Sequence, residues 1–139
     1  MKLSARNQFA GTVSKITEGA VNGIVTIDVN GTPVSATISM ASIKELGLAV
    51  GKPAYAVIKA TEVMVGQGEH LPLSARNQFP GKVVSVEKGA VNSIVKIDAL
   101  GGNQISATIS NAAVEELGLK AGVPALAVIK ATSVMVGID

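Results

Sequence analysis

Two serines, an arginine and a lysine recur along this chain in one order: Ser4, Arg6, Ser39 and Lys59, then Ser74, Arg76, Ser110 and Lys130. Ser4 and Arg6 are two residues apart, so on an extended strand both side chains share a face. Ser39 and Ser110 stand where a helix is predicted to begin, beside backbone N–H groups that lack intrahelical partners. Lys59 and Lys130 each end an otherwise apolar run, an unusual place for an ammonium unless an anion or carboxylate is close. Hydroxyls, backbone amides and a cation together suit a small oxyanion, which accepts several hydrogen bonds and carries charge. Each residue also has a plainer reading. A serine before a helix is a cap, Arg6 could pair with a carboxylate on a neighbouring strand, and Lys59 could reach solvent along its stem.

Catalytic chemistry has far less to stand on. There is no cysteine, and His70 is the only histidine, so a His/Cys metal site is excluded by count. Asp28 and Asp98 recur, but each precedes a turn, where Asp is common for local hydrogen bonding. No nucleophile–base pair can be assembled from these residues. The chain reads as a non-enzyme.

The recurrence extends well beyond four residues. Ser4–Phe9 (SARNQF) returns letter for letter as Ser74–Phe79, and Gly19-Ala20-Val21-Asn22 returns as Gly89-Ala90-Val91-Asn92. The offset is 70 residues from Ser4 to Ser74 and 71 from Lys59 to Lys130, which puts one inserted residue in Ala99–Asn103. That period is a small domain rather than a solenoid unit. Two domains, 1–68 and 73–139, are therefore expected, joined by a linker at 69–72.

Elements that must position the recurring residues follow from pattern. Thr12–Ile16 alternates as a half-buried strand does, and Val21–Val29 and Val34–Ile38 continue the series around the turn pair Asn30-Gly31. One helix is predicted from about Ser39 to Leu46, stopped by Gly47, with its counterpart from Ser110 to Leu117, stopped by Gly118. Ala54–Ala60 reads as a buried strand, and Val63–Val65 as a short edge. Five short strands with one helix between the third and fourth predict an all-β fold with one short helix per repeat: tandem five-stranded β-barrels of the oligonucleotide/oligosaccharide-binding type.

Composition narrows the partners. The 139 residues carry 12 Lys+Arg against 10 Asp+Glu, a net charge of +2, with no basic run. Phe9, Phe79 and Tyr55 are the only aromatics. Neither the basic groove nor the stacking platforms of a single-strand nucleic-acid binder are present, so no nucleic acid is expected. No signal peptide or membrane-spanning run is visible, which predicts no membrane partner and a cytoplasmic protein. Abundant small hydrophobes in domains of this size predict self-association.

At this point the motifs resemble a known family. Ser-Ala-Arg-Asn, then Glu-Gly-Ala-Val-Asn at 18–22 (Lys-Gly-Ala-Val-Asn at 88–92), Leu-Gly-Leu and Val-Ile-Lys-Ala-Thr are similar, in order and spacing, to the molbindin domain, also called the Mop-like or TOBE domain. The resemblance implies the same barrel, binding of molybdate or tungstate for storage and homeostasis, and three two-domain chains with oxyanions at interfaces between domains. It implies a first site type built from Ser4, Ala5 and Arg6 (Ser74, Ala75 and Arg76) of one domain. Ser39, Ser42 and Lys59 (Ser110 and Lys130) of a partner domain complete it. Ala113 stands where repeat one has Ser42, so the two repeats are expected to be unequal. A second site type is implied at Gly19, Ala20, Val21 and Asn22, and at Gly89, Ala90, Val91 and Asn92. Molybdate or tungstate is thus the expected ligand, held as the intact ion with no direct protein–metal coordination. A nucleic-acid-binding barrel and a structural interaction module remain the alternatives.

Overall fold

The computed structural model describes residues 1–139. Repeat one contains β1 (Asn7–Thr17), β2 (Asn22–Val29), β3 (Thr32–Ser39), α1 (Met40–Glu45), β4 (Pro53–Ile58) and β5 (Met64–Gly66). Repeat two follows with β6 (Asn77–Lys88), β7 (Asn92–Asp98), β8 (Gln104–Ser110), α2 (Asn111–Glu116), β9 (Pro124–Ile129) and β10 (Met135–Gly137). Short 3-10 turns at Ala60–Glu62 and Ala131–Ser133 link β4 to β5 and β9 to β10. No helix is long and apolar enough to cross a membrane.

The strands alternate as the sequence predicts. Val25, Ile27 and Val29 of β2, with Val34 and Ala36 of β3, point inward and are fully buried. The pair Asn30-Gly31 turns the chain with φ of 49° and 89°, the positive values a two-residue hairpin needs. In repeat two the inserted residue makes a 3-10 turn, Leu100–Gly102, whose Leu100 side chain enters the core. Both first strands carry a bulge, between Val13 and Lys15 in β1 and between Val83 and Ser85 in β6. Bulges bend and twist a long strand, which lets it serve two neighbours of a curled sheet. Gly11 and Gly81 permit that closeness, since a Cβ there would collide with the carbonyl of Asp28 or Asp98.

Two expectations are revised. Ser4–Arg6 does not lie on a strand: β1 begins only at Asn7. Gln8 explains the break, because its Nε2 donates to the carbonyls of Leu3 (3.0 Å) and Ala5 (2.9 Å) and turns the lead-in back. Gln78 does the same for repeat two, donating to Leu71 and Ala75. The second revision concerns the sheets. Sheet order is β10-β4-β1-β2-β3 in one barrel and β5-β9-β6-β7-β8 in the other. Each repeat thus gives its last strand to its sister, Met135–Gly137 pairing with Tyr55–Val57 and Met64–Gly66 with Leu126–Val128.

This exchange fuses the two repeats. The donated strands come to lie beside β3 and β8 and complete each barrel. The 3-10 turn of each repeat packs on the third strand of the other. Phe9, Ile27 and Ile58 therefore belong to the same buried cluster as Phe79, Ile97 and Ile129. Sequence repeats and hydrogen-bonded sheets divide the chain differently.

Candidate functional site

The ladder between β1 and β4 pairs Asn7 with Ile58, so the residues just beyond, Arg6 and Lys59, leave the sheet at the same corner. Asn77 pairs with Ile129 and brings Arg76 to Lys130 in the same way. Each corner opens into a hollow. The first, about 380 Å³, is lined by Ser4, Ala5, Arg6, Lys59 and Thr61, with Thr108 contributed by repeat two. The second, about 230 Å³, is lined by Ser74, Ala75, Arg76, Lys130 and Thr132, with Thr37 contributed by repeat one. Ser4, Arg6, Lys59 and their counterparts are exposed.

The charge arrangement is lopsided. Two cations converge at each hollow, and neither hollow is lined by a carboxylate. The one ion pair in the structure joins the Met1 amino group to Asp139, at 3.8 Å. The carboxylate partner that the plainer reading gave Arg6 is therefore not there. Like charges set side by side repel, and an anion between them removes that repulsion. Side-chain hydroxyls around the pair add donors without adding charge.

Behind each hollow lies a residue pair the sequence reading passed over. Asn7 is 1 % exposed, and its amide spans the repeat boundary. Its Nδ2 donates to the Ser106 carbonyl at 2.8 Å, and its Oδ1 accepts from the Ser106 N–H at 2.8 Å. Asn77 makes the same two bonds to Ser35, both 2.8 Å. Both asparagines sit in the recurring SARNQF motif, which was a signal. Their partners belong to the opposite repeat, and no local pattern reveals that. Thr37 and Thr108 were missed for the same reason, whereas Thr61 and Thr132 stand two residues after the lysines of their own repeats.

The helix-start serines stand apart from both hollows. Ser39 Oγ accepts from the Ser42 N–H (3.0 Å) and donates to Ser42 Oγ (2.8 Å), and Ser110 Oγ accepts from the Ala113 N–H (3.1 Å). Both are N-caps. Within one chain they do not meet Ser4 or Arg6. The resemblance grouped Lys59 with these serines, on the side facing a partner's Ser4 and Arg6. The β1–β4 ladder instead seats Lys59 beside Arg6 of its own repeat, and Lys130 beside Arg76.

The loops Gly19–Asn22 and Gly89–Asn92 are wholly exposed, Val21 by 73 % and Val91 by 72 %. Each is tied to its helix, through Met40 N–H to the Val21 carbonyl (2.8 Å) and Asn111 N–H to the Val91 carbonyl (2.9 Å). A third hollow, about 350 Å³, sets Glu18, Gly19, Asn22 and Thr37 of repeat one against Arg76 of repeat two.

The repeats differ beneath these loops. In repeat one, Gly23 leaves room for Ile43 and Met40, which a Cβ would meet at 2.7 and 2.9 Å. Repeat two has Ser93 and Asn111 in those places. Ser93 Oγ donates to Asn111 Oδ1, and Asn111 Nδ2 donates to the Gly89 carbonyl at 2.9 Å. An apolar contact has been exchanged for a polar bridge between loop and helix.

A further hollow of about 300 Å³ lies near Leu46, Leu48, Pro53 and Tyr55. The Tyr55 hydroxyl donates to Asp139 there at 3.0 Å, and that bond with the nearby carboxylate pushes the phenol above its ordinary pKa. Its mainly apolar wall and its carboxylate suit an oxyanion poorly.

Known proteins match this chain over its whole length. The TOBE domain model matches residues 3–65 and 73–136. The molybdenum transport protein ModE of Herbaspirillum seropedicae is 43 % identical over 141 residues, covering 100 % of this chain and 52 % of the relative. A probable molybdenum-pterin-binding protein of Haemophilus influenzae is 61 % identical over 69 residues, 50 % of this chain and 100 % of the relative. The chain thus spans about half the length of the ModE it matches, and one of its repeats matches a whole shorter relative. Among solved structures, the cytoplasmic molybdate-binding protein ModG with molybdate bound superposes with a TM-score of 0.95, at 45 % identity and 100 % coverage of both chains. With the domain model matched twice across most of its length, the chain belongs to the TOBE-domain family.

Proposed function

We propose that this protein binds molybdate or tungstate as the intact tetrahedral dianion, without catalysis, as a cytoplasmic store that buffers the ion. The observation that carries this reading is the pairing of Arg6 with Lys59, and of Arg76 with Lys130, in hollows free of carboxylates. A dianion offset by two cations and several hydroxyls is held by charge-assisted hydrogen bonds, so its release breaks no bond to the metal. ModG, which superposes on the whole chain, was solved with molybdate bound.

Each hollow is open on one side, while the half-buried Ser39 and Ser42 and the exposed Ser110 lie elsewhere. Assembly of three chains would carry these hydroxyls onto a neighbour's hollow and cover Val21 and Val91. Exposed valines on matching loops are what such an interface would bury. The test is the native particle's mass together with its molybdenum content after dialysis against molybdate. Three chains retaining several anions are expected. Less than one anion per chain at micromolar ligand would sink the reading.

A nucleic-acid role is the weaker alternative. Phe9 and Phe79 are buried in the core at 6 % and 5 % exposure, so neither is free to stack on a base. No gel shift with single-stranded DNA at low salt is expected.

A further inference from the structure

Each hollow draws one wall from the opposite repeat: Thr37 in the second, and Thr108 beside Met135 in the first. On β8, Ile105 and Ala107 point into the core, so Ser106 and Thr108 face the other way, towards the lead-in of repeat one. On β3, Val34 and Ala36 point inward, which turns Ser35 and Thr37 towards the lead-in of repeat two. The asparagine clamps fix this registry. Asn7 grips the backbone of Ser106, two residues before Thr108, and directly follows Arg6. Asn77 grips Ser35, two residues before Thr37, and directly follows Arg76. Neither threonine hydroxyl is used in any side-chain hydrogen bond of the chain.

We propose that Thr108 and Thr37 are oxyanion ligands supplied across the repeat boundary, and that Asn7 and Asn77 are the positioning residues that aim them. The inference rests on the oxyanion reading of the hollows. A free hydroxyl beside two cations donates its proton to an anion seated between them, and its rotor adjusts to the oxygen it meets. Each hollow is then walled by both halves of one chain, with one side left open to a second chain. The fused core and exchanged strands keep that pair of walls at fixed separation. Walls held at a fixed separation select a tetrahedral anion by size.

The test uses the full chain and molybdate as probe, with affinity read by calorimetry and the ligand-free Tm read alongside. T37V/T108V is expected to bind about three- to tenfold more weakly, the loss of one neutral hydrogen bond per hollow. T37S/T108S is expected to restore binding, because it returns the hydroxyl but not the methyl. Should valine lower the ligand-free Tm, T37A/T108A gives the same comparison without the added bulk. Wild-type affinity in the valine and alanine variants would overturn the proposal. A wild-type protein that binds no molybdate would instead overturn the oxyanion reading, and the two failures are distinct.

Discussion

At the residue scale, four cations and two buried amides shape the two corners. Lys59 and Lys130 were legible in the sequence because a lysine ending an apolar strand is conspicuous. That Arg6 is the neighbour of Lys59 was not legible, because the pairing of β1 with β4 spans some fifty positions of chain. K59A/K130A is expected to weaken molybdate binding about ten- to hundredfold, the worth of a charge-assisted hydrogen bond, with the particle mass unchanged. Unchanged affinity would mean the lysines serve only the surface. Asn7 makes a separate prediction. N7A leaves the Ser106 N–H and carbonyl buried without partners, at a cost of about 1–3 kcal/mol. Chemical denaturation should detect that loss, and N77A should match it, since its clamp on Ser35 has the same lengths.

At the element scale the predicted strands, turn and helices are close to those observed, because alternation, Asn-Gly and the helix-stopping glycines are local signals. Gly47 and Gly118 hold φ of 61° and 60° at the helix ends, so G47A or G118A should cost about 1 kcal/mol. The lead-in Ser4–Arg6 misled the sequence reading because alternation of Ser and Arg mimics a strand. What bends it is Gln8, bonding back to residues already passed. The exchange of Gly23 and Met40 for Ser93 and Asn111 is visible in the sequence as two substitutions, yet only the fold brings them together. Through Asn111 the Gly89–Asn92 loop is held at both its Gly89 and Val91 carbonyls. Replacing the bridge by the repeat-one pair, S93G/N111M, should speed amide hydrogen exchange across this loop. The Gly19–Asn22 loop should stay as it was.

At the scale of the whole molecule, duplication was plain from SARNQF and the offset, but strand exchange was invisible. Val63–Val65 reads the same whether it closes its own barrel or its sister's. Pairing β5 with β9 and β10 with β4 makes the halves mutually dependent. A chain cut to residues 1–72 lacks the strand that completes its barrel and exposes the edge of β4. Light scattering should find it self-associated or unfolded, and a stable folded monomer would contradict the exchange. Anions are proposed to sit where Arg6 meets Lys59 and where Arg76 meets Lys130. Anomalous diffraction at the molybdenum edge, on crystals of the intact protein with molybdate, tests it most directly. One strong peak is expected in each of these two corners, within hydrogen-bonding distance of the cations. Molybdenum peaks confined to other places, with both corners empty, would contradict it.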